Sequence, residues 1–228
     1  MAEIWIQEEK ITEDFLNANG HHIKMDGKIK SVFFIGEGTE EDYVKHNLNF
    51  LQQFLITQNV YPLYLTFVCV DDYEEIQTAF DNLAINYKIR FLDEVQTYWT
   101  AFKKVKYHPP YFTVKITDSR SLIYVLEETY WLAASLNEFY TISYSENLSF
   151  QLDTVIEWGK KRERSIPIFK IDENTTFITI FHDGNGFYLF TNQEKYSTVK
   201  SLCSNLPKGT VITQINDTLI KRGSIEEE

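Results

Sequence analysis

Apolar residues recur along this chain in two periods, and the switch between them sets the expected elements. Val44, Leu48, Leu51 and Leu55 fall at i, i+4, i+7 and i+11 and predict a helix from about Thr39 to Thr57. The strand-like run SVFFI (Ser31–Ile35) precedes it and YPLYLTFVCV (Tyr61–Val70) follows. A second stripe, Ile76, Ala79, Phe80 and Leu83, lies in DDYEEIQTAFDNLA, where Asp72 caps the helix and Glu75 completes a capping box. NYKIRFLDEV is the returning strand. YFTVKIT, a cap at Asp118 or Ser119, a helix through about Ser135 and the strand EFYTISYS form a third unit. Leu152, Val155 and Ile156 share one face of a helix expected from about Phe150 to Arg164. Then come PIFKI, the hairpin TTFITIFHDGNGFYLFTN, a helix from about Glu194 to Asn205 and a last strand, GTVITQIN.

Residues 61 to 145 thus read β-α-β-β-α-β, the order of a ferredoxin-like split unit. Pro109 and Pro110 interrupt it and mark a bend or an edge, because proline cannot donate to a strand ladder. The expected class is α/β, α+β in strict usage. Two mixed sheets, each with helices mainly on one face, carry the ferredoxin-like unit in the middle of the chain and a ββαβ unit at its C-terminal end. The expected organisation is a polar N-terminal segment (1–28), an α/β half (29–148), a second α/β half (149–220) and an acidic tail (221–228). The terminal stretches HHIKMDGK and KRGSIEEE are expected to be mobile.

Composition places the chain with ordinary globular proteins: 43% of its 228 residues are hydrophobic and 24% charged. The formal net charge of -11 disfavours nucleic acid and anionic membranes and suits either a soluble protein or one with a basic partner, without choosing between the two. MAEIWIQEEK has no basic region leading into an apolar one, and no apolar run is long enough to span a bilayer. Cys69 and Cys203 are isolated and read as buried free thiols. Together these features lead to the expectation of a cytoplasmic protein.

The stretch SVFFIGEGTEEDYV raises the question of phosphate binding, since Gly36 and Gly38 stand between a strand and a helix. No lysine follows the glycines, as a phosphate-cradling loop requires, and Glu41 stands where a dinucleotide fingerprint has its third glycine. Glu40, Glu41 and Asp42 in the first helical turn would repel an anion. A cation fits better: Glu37 after one strand, with Asp71 and Asp72 after the next, could hold Mg2+ or Mn2+ if those strands were parallel neighbours. This E-G-x-E turn followed by paired aspartates resembles the Toprim metal site of topoisomerases, primases and some nucleases. It departs from that pattern in that Asp71 and Asp72 are adjacent rather than separated by one residue. The resemblance implies metal-dependent phosphoryl-transfer or nuclease-like chemistry at Glu37, Asp71 and Asp72.

Other polar features have structural readings. His21 and His22 lack partners at zinc-finger spacing, His46 lies off the apolar stripe of its helix, and His108 precedes two prolines in a loop. His182 and Asp183 open a glycine-rich turn with no nucleophile-elbow serine. Lys160, Lys161, Arg162 and Arg164, beside Trp158, read as the solvated end of a helix. No nucleophile, base and orienting group assemble into a catalytic set and no cofactor motif is complete. The expected function is therefore a non-enzymatic cytosolic protein-binding protein, of the inhibitor or immunity type, directed against a basic enzyme. The metal-dependent enzyme using Glu37, Asp71 and Asp72 is the alternative.

Overall fold

A computed structural model describes residues 2–12, 16, 22–37, 42–70, 73–99, 103–136, 138–157 and 159–220, with Glu37 described by its backbone. Its strands are β1 (Glu3–Glu8), β2 (Lys24–Asp26), β3 (Ser31–Glu37), β4 (Leu63–Val68), β5 (Asn86–Phe91), β6 (Gln96–Trp99), β7 (Lys104–Tyr107), β8 (Pro110–Ile116) and β9 (Tyr140–Ser143). They continue with β10 (Leu148–Glu157), β11 (Lys160–Lys170), β12 (Thr176–Ile180), β13 (Phe187–Thr191), β14 (Val211–Ile215) and β15 (Thr218–Leu219). The helices are α1 (Tyr43–Gln58), α2 (Tyr73–Asn82), α3 (Ser119–Leu136) and the single turn α4 (Val199–Cys203). The class is mixed α+β.

Ten strands form one sheet in the order β15-β14-β1-β3-β13-β12-β9-β4-β8-β5. Every neighbouring pair is antiparallel except β1 and β14, which run parallel from Glu3↔Val211 to Ile6↔Ile215. Alternation along each strand divides its side chains between two cores. Phe33, Ile35, Phe67, Phe112, Ile142 and Leu189 meet Phe54, Leu55, Phe80, Val125 and Leu126 of the helices. Val32, Phe34, Phe177, Tyr188 and Phe190 point the other way, toward Phe169 of a three-stranded sheet, β10-β11-β2, and Ile23 just before β2. The molecule therefore has three layers: helices, large sheet, small sheet. A strand buried on both faces carries apolar residues at every position, which is why SVFFI and FITI show no alternation.

This architecture corrects several expectations. The two halves do not have a sheet each: β12 and β13 insert between β3 and β9, so strands from both sides of residue 148 share the ten-stranded sheet. All five residues of each of these strands are buried, so neither could form an edge. The segment 1–28 is not merely polar. It contains β1, whose Ile4 and Ile6 are fully buried, and β2, flanked by buried Ile23 and Ile29. The helix expected at 150–164 is instead the hairpin β10–β11, paired from Leu148↔Phe169 to Glu157↔Lys160. Leu148, Phe150 and Leu152 alternate at period two, and Gly159 supplies a left-handed turn (φ 73°).

Between residues 61 and 145, β4, β5, β8 and β9 stand together with α2 and α3 on one face, but a small separate hairpin, β6–β7, is inserted before β8. Pro110 begins an internal strand rather than an edge. It occupies the first position, where its carbonyl accepts from Cys69 N (3.0 Å) while Pro109 O accepts from Leu92 N (2.9 Å). Leu83 lies beyond the end of α2 and is exposed.

The helix ends follow local chemistry. Asp118 Oδ1 accepts from the backbone N–H groups of Arg120 (3.0 Å) and Ser121 (2.9 Å), which holds its carboxyl below the usual range. Asp42 occupies the N-cap of α1 without a side-chain bond, and α1 has no acid in its first turn. Gly38, Thr39, Glu40, Glu41 and Asp72 lie outside the described residues. The expected helix at 194–205 is two shorter pieces, a 3-10 turn at Glu194–Tyr196 and α4, capped by Thr198 Oγ1 accepting from Ser201 N (3.1 Å).

The HDGNG loop closes β12–β13 through Phe181 N donating to Gly186 O (3.0 Å) and packs beneath α3, where Tyr130 Oη donates to Gly184 O (3.3 Å). Gly186 has φ 113°, and a Cβ there would come within 2.5 Å of Ile35 O, a backbone atom of β3. At Gly159 the φ is also positive, but nothing lies within 4 Å. Gly186→Ala is expected to destabilise the fold by about 3 kcal/mol and Gly159→Ala by about 1 kcal/mol. Urea denaturation of the two variants tests this; equal losses would contradict the close approach at Gly186.

Candidate functional site

The described positions around the glycine turn have packing roles. Gly36 lies within β3 opposite Trp5, and a Cβ there would meet the Phe34 ring at 2.7 Å and Trp5 Nε1 at 3.0 Å. β3 and β4 do run parallel, but β13, β12 and β9 separate them. At ordinary inter-strand spacing that places the two strands roughly 19 Å apart. The neighbouring arrangement that would join Glu37 to Asp71 and Asp72 is therefore absent from the strand order. Asp71, Asp72 and the Glu37 side chain lie outside the described residues. Among the described residues, no three His, Cys, Asp or Glu side chains converge as metal ligands.

His182 Nδ1 lies 2.7 Å from Asp183 Oδ2, with both side chains exposed in the loop. His108 Nδ1 lies 2.9 Å from Leu92 O, an acceptor, so that nitrogen carries the proton and ties the loop before β8 to the loop after β5. Cys69 is buried; Cys203 is half-buried, and burial pushes its thiol pKa up. Among the described residues, no helix is long and apolar enough to cross a membrane.

The most distinctive chemistry gathers at the end of the sheet where β5 leads into β6–β7. Among the described residues this hairpin pairs with itself alone, in the register Gln96↔Tyr107 to Trp99↔Lys104. Four large apolar side chains are exposed between residues 91 and 99: Phe91 (57%), Val95 (52%), Tyr98 (50%) and Trp99 (76%). Alternation puts Gln96, Tyr98, Val105 and Tyr107 on one face of the hairpin and Thr97, Trp99, Lys104 and Lys106 on the other.

The base of the hairpin is fixed by Glu94, the only charged residue buried among the described ones. Its Oε2 accepts from Ser165 N (2.6 Å) and its Oε1 from Gln96 Nε2 (2.8 Å), while its own N–H donates to Ser165 Oγ (3.1 Å). Arg164 Nη1 lies 3.5 Å from Glu94 Oε1, and the same guanidinium donates to Glu157 through Nε (2.7 Å) and Nη2 (2.8 Å). Those charge-assisted bonds hold the Glu157 carboxyl below its ordinary range, aided by the charges of Arg164 and Arg162. Arg164 of the basic run thus links two hairpins instead of ending a helix. A cleft of about 210 Å³ lies between them, with Leu92, Phe139 and Phe150 among its apolar walls.

Where the hairpin faces the start of α2 lies a wider groove of about 650 Å³. Tyr73, Phe91, Tyr98 and Tyr107 line it together with Glu74 and Glu75. Tyr98 and Tyr107 meet edge to face at 5.5 Å, and Tyr107 Oη donates to Gln96 Oε1 (2.9 Å), which orients its ring. A hydrogen bond to Glu74 raises the pKa of the Tyr73 phenol.

The sequence marks Glu75 as half of a capping box, Arg164 as a helix-end cation and His108 as a loop residue, and gives the other residues of this region no role. VQTYW carried a signal in its exposed-type aromatics, whereas Glu94 had none, since its partner Ser165 is 71 residues away. In comparisons with known proteins, no family model, no curated protein and no solved structure matches this chain.

Glu94→Ala would leave Ser165 N–H and Arg164 without their buried acceptor and is expected to destabilise the fold by about 2 kcal/mol. Arg162→Ala, at a more exposed pair, should change stability by less than about 0.5 kcal/mol. Because the folded pKa of Glu157 is depressed, its contribution is complete above the ordinary carboxylate range and is lost as pH falls through the folded value. The stability gap between the native protein and Glu157→Gln should therefore close as pH falls from the ordinary carboxylate range through the depressed folded value, as measured by urea denaturation. A gap that is constant with pH would show that the pair contributes nothing.

Proposed function

We propose that this protein is a non-enzymatic cytoplasmic binding protein that captures a basic protein partner through the β6–β7 hairpin, in the manner of an inhibitor or immunity protein. The observation that carries this reading is the exposure of Phe91, Val95, Tyr98 and Trp99 on and beside one projecting hairpin. Solvent-facing aromatic residues concentrated in one place mark interaction surfaces more often than they mark chance, and Tyr and Trp dominate binding hot spots. The hairpin's base is anchored by the Glu94 and Arg164 network, so little order has to be gained on docking. The net charge of -11 would steer a basic partner toward the surface and disfavour acidic competitors.

The test is quantitative capture from cells that make the protein, using the native chain and the Tyr98→Ala/Trp99→Ala variant after their melting temperatures are shown to match. A basic protein should be recovered in stoichiometric amount by the native chain, and its recovery should fall by about tenfold or more with the variant. Recovery of the same proteins by both chains, or of none across repeated captures, would sink the proposal.

A further inference from the structure

Resting on that binding reading, we infer that the groove between α2 and the β6–β7 hairpin seats an extended basic segment of the partner. Its arginine or lysine side chains lie against the rings of Tyr73, Phe91, Tyr98 and Tyr107 and pair with Glu74 and Glu75. The face of an aromatic ring carries negative potential and attracts a guanidinium or ammonium group, most strongly where water is displaced. Four rings and two carboxylates around one groove of about 650 Å³ give that cation both a desolvated surface and a counter-charge. Among the described residues, neither Glu74 nor Glu75 takes part in an ion pair.

Among the described residues, the cations of the strands beside this groove are turned away from it. Lys104 and Lys106 share the hairpin face of Trp99, opposite to Tyr98 and Tyr107. On β5, Tyr87 and Ile89 pack into the helix-side core, which places Phe91 on the same side and Lys88 and Arg90 on the other. His108 also borders the groove, but its Nδ1 is engaged with Leu92 O. The groove is thus apolar and acidic on an element whose other face is basic. A second copy of this chain would bring another -11 charges to an acidic rim, so a basic segment is the occupant the charges select.

The intact protein is titrated by calorimetry with end-blocked tetra-arginine, end-blocked tetra-glutamate and tetramethylammonium. Tetra-arginine should bind saturably and the other two should not. Glu74→Gln/Glu75→Gln and Tyr98→Ala should each weaken tetra-arginine binding by about fivefold, while Glu127→Gln on α3 should leave it unchanged. Failure of tetra-arginine to saturate, or equal weakening by Glu127→Gln, overturns the inference, the second by showing attraction to net charge alone. Saturable binding of tetramethylammonium as tight as that of the peptide overturns it in favour of a small-cation site. Where a partner is captured through Tyr98 and Trp99 but the groove variants leave peptide binding unmoved, the groove assignment falls and the binding reading stands. Groove-dependent peptide binding with no captured partner has the opposite meaning.

Discussion

The structure depends on one constraint: its central strands are apolar on both faces, and each face must be covered. β3, β12 and β13 place Phe33, Ile35, Ile178 and Leu189 toward the helices and Val32, Phe34, Phe177 and Phe190 away from them. Helices alone satisfy only half of that demand. The small sheet supplies the rest, with Phe169 stacked 3.9 Å from Phe177, which in turn stacks 4.5 Å from Phe190. That column of three rings fixes the hairpin β10–β11 over the sheet. It also sets where Arg164 and Ser165 lie, and therefore where Glu94 finds its partners.

The projecting surface is in this sense a product of the core. A two-stranded hairpin is marginal in water by itself, and β6–β7 has no strand neighbour in either sheet. What holds it is polar: Glu94 bonded across to β11, Gln96 bridging Glu94 and Tyr107, and His108 bonded to Leu92. Fully partnered polar groups have defined geometry, so this end of the molecule can present aromatic rings without collapsing onto them.

Much of this was legible in the sequence, and the losses have physical causes. α1, α2 and α3 declared themselves through the spacing of Val44 to Leu55, Ile76 to Phe80 and the Asp118 cap, because a helix is specified by neighbours a few residues apart. β10 was misread because Leu152, Val155 and Ile156 also fit one helical face; the alternation Leu148, Phe150, Leu152 and the turn at Gly159 decide for strand. Sheet order was not legible, since strands apolar at every position carry no mark of which partner they take. The reading of Glu37 with Asp71 and Asp72 turned on that order, and three intervening strands separate β3 from β4. The aromatic groove is not legible as a motif, because Tyr73, Glu74, Glu75, Phe91, Tyr98 and Tyr107 come from four separate elements, α2, β5, β6 and β7.

The parallel pair β1 and β14 joins the two ends of the described chain, with Glu8 N donating to Asn216 Oδ1 across 208 residues at 2.8 Å. β1 lies between β3 and β14, so during synthesis it can acquire its first partner early but its second only after β14, whose following residue Asn216 is 208 residues beyond Glu8, has been made. Until then one side of a strand bearing Ile4 and Ile6 stays open as a template for pairing with other chains. The nascent chain thus passes through a long interval in which β1 is paired on one side alone, until β14 follows β3.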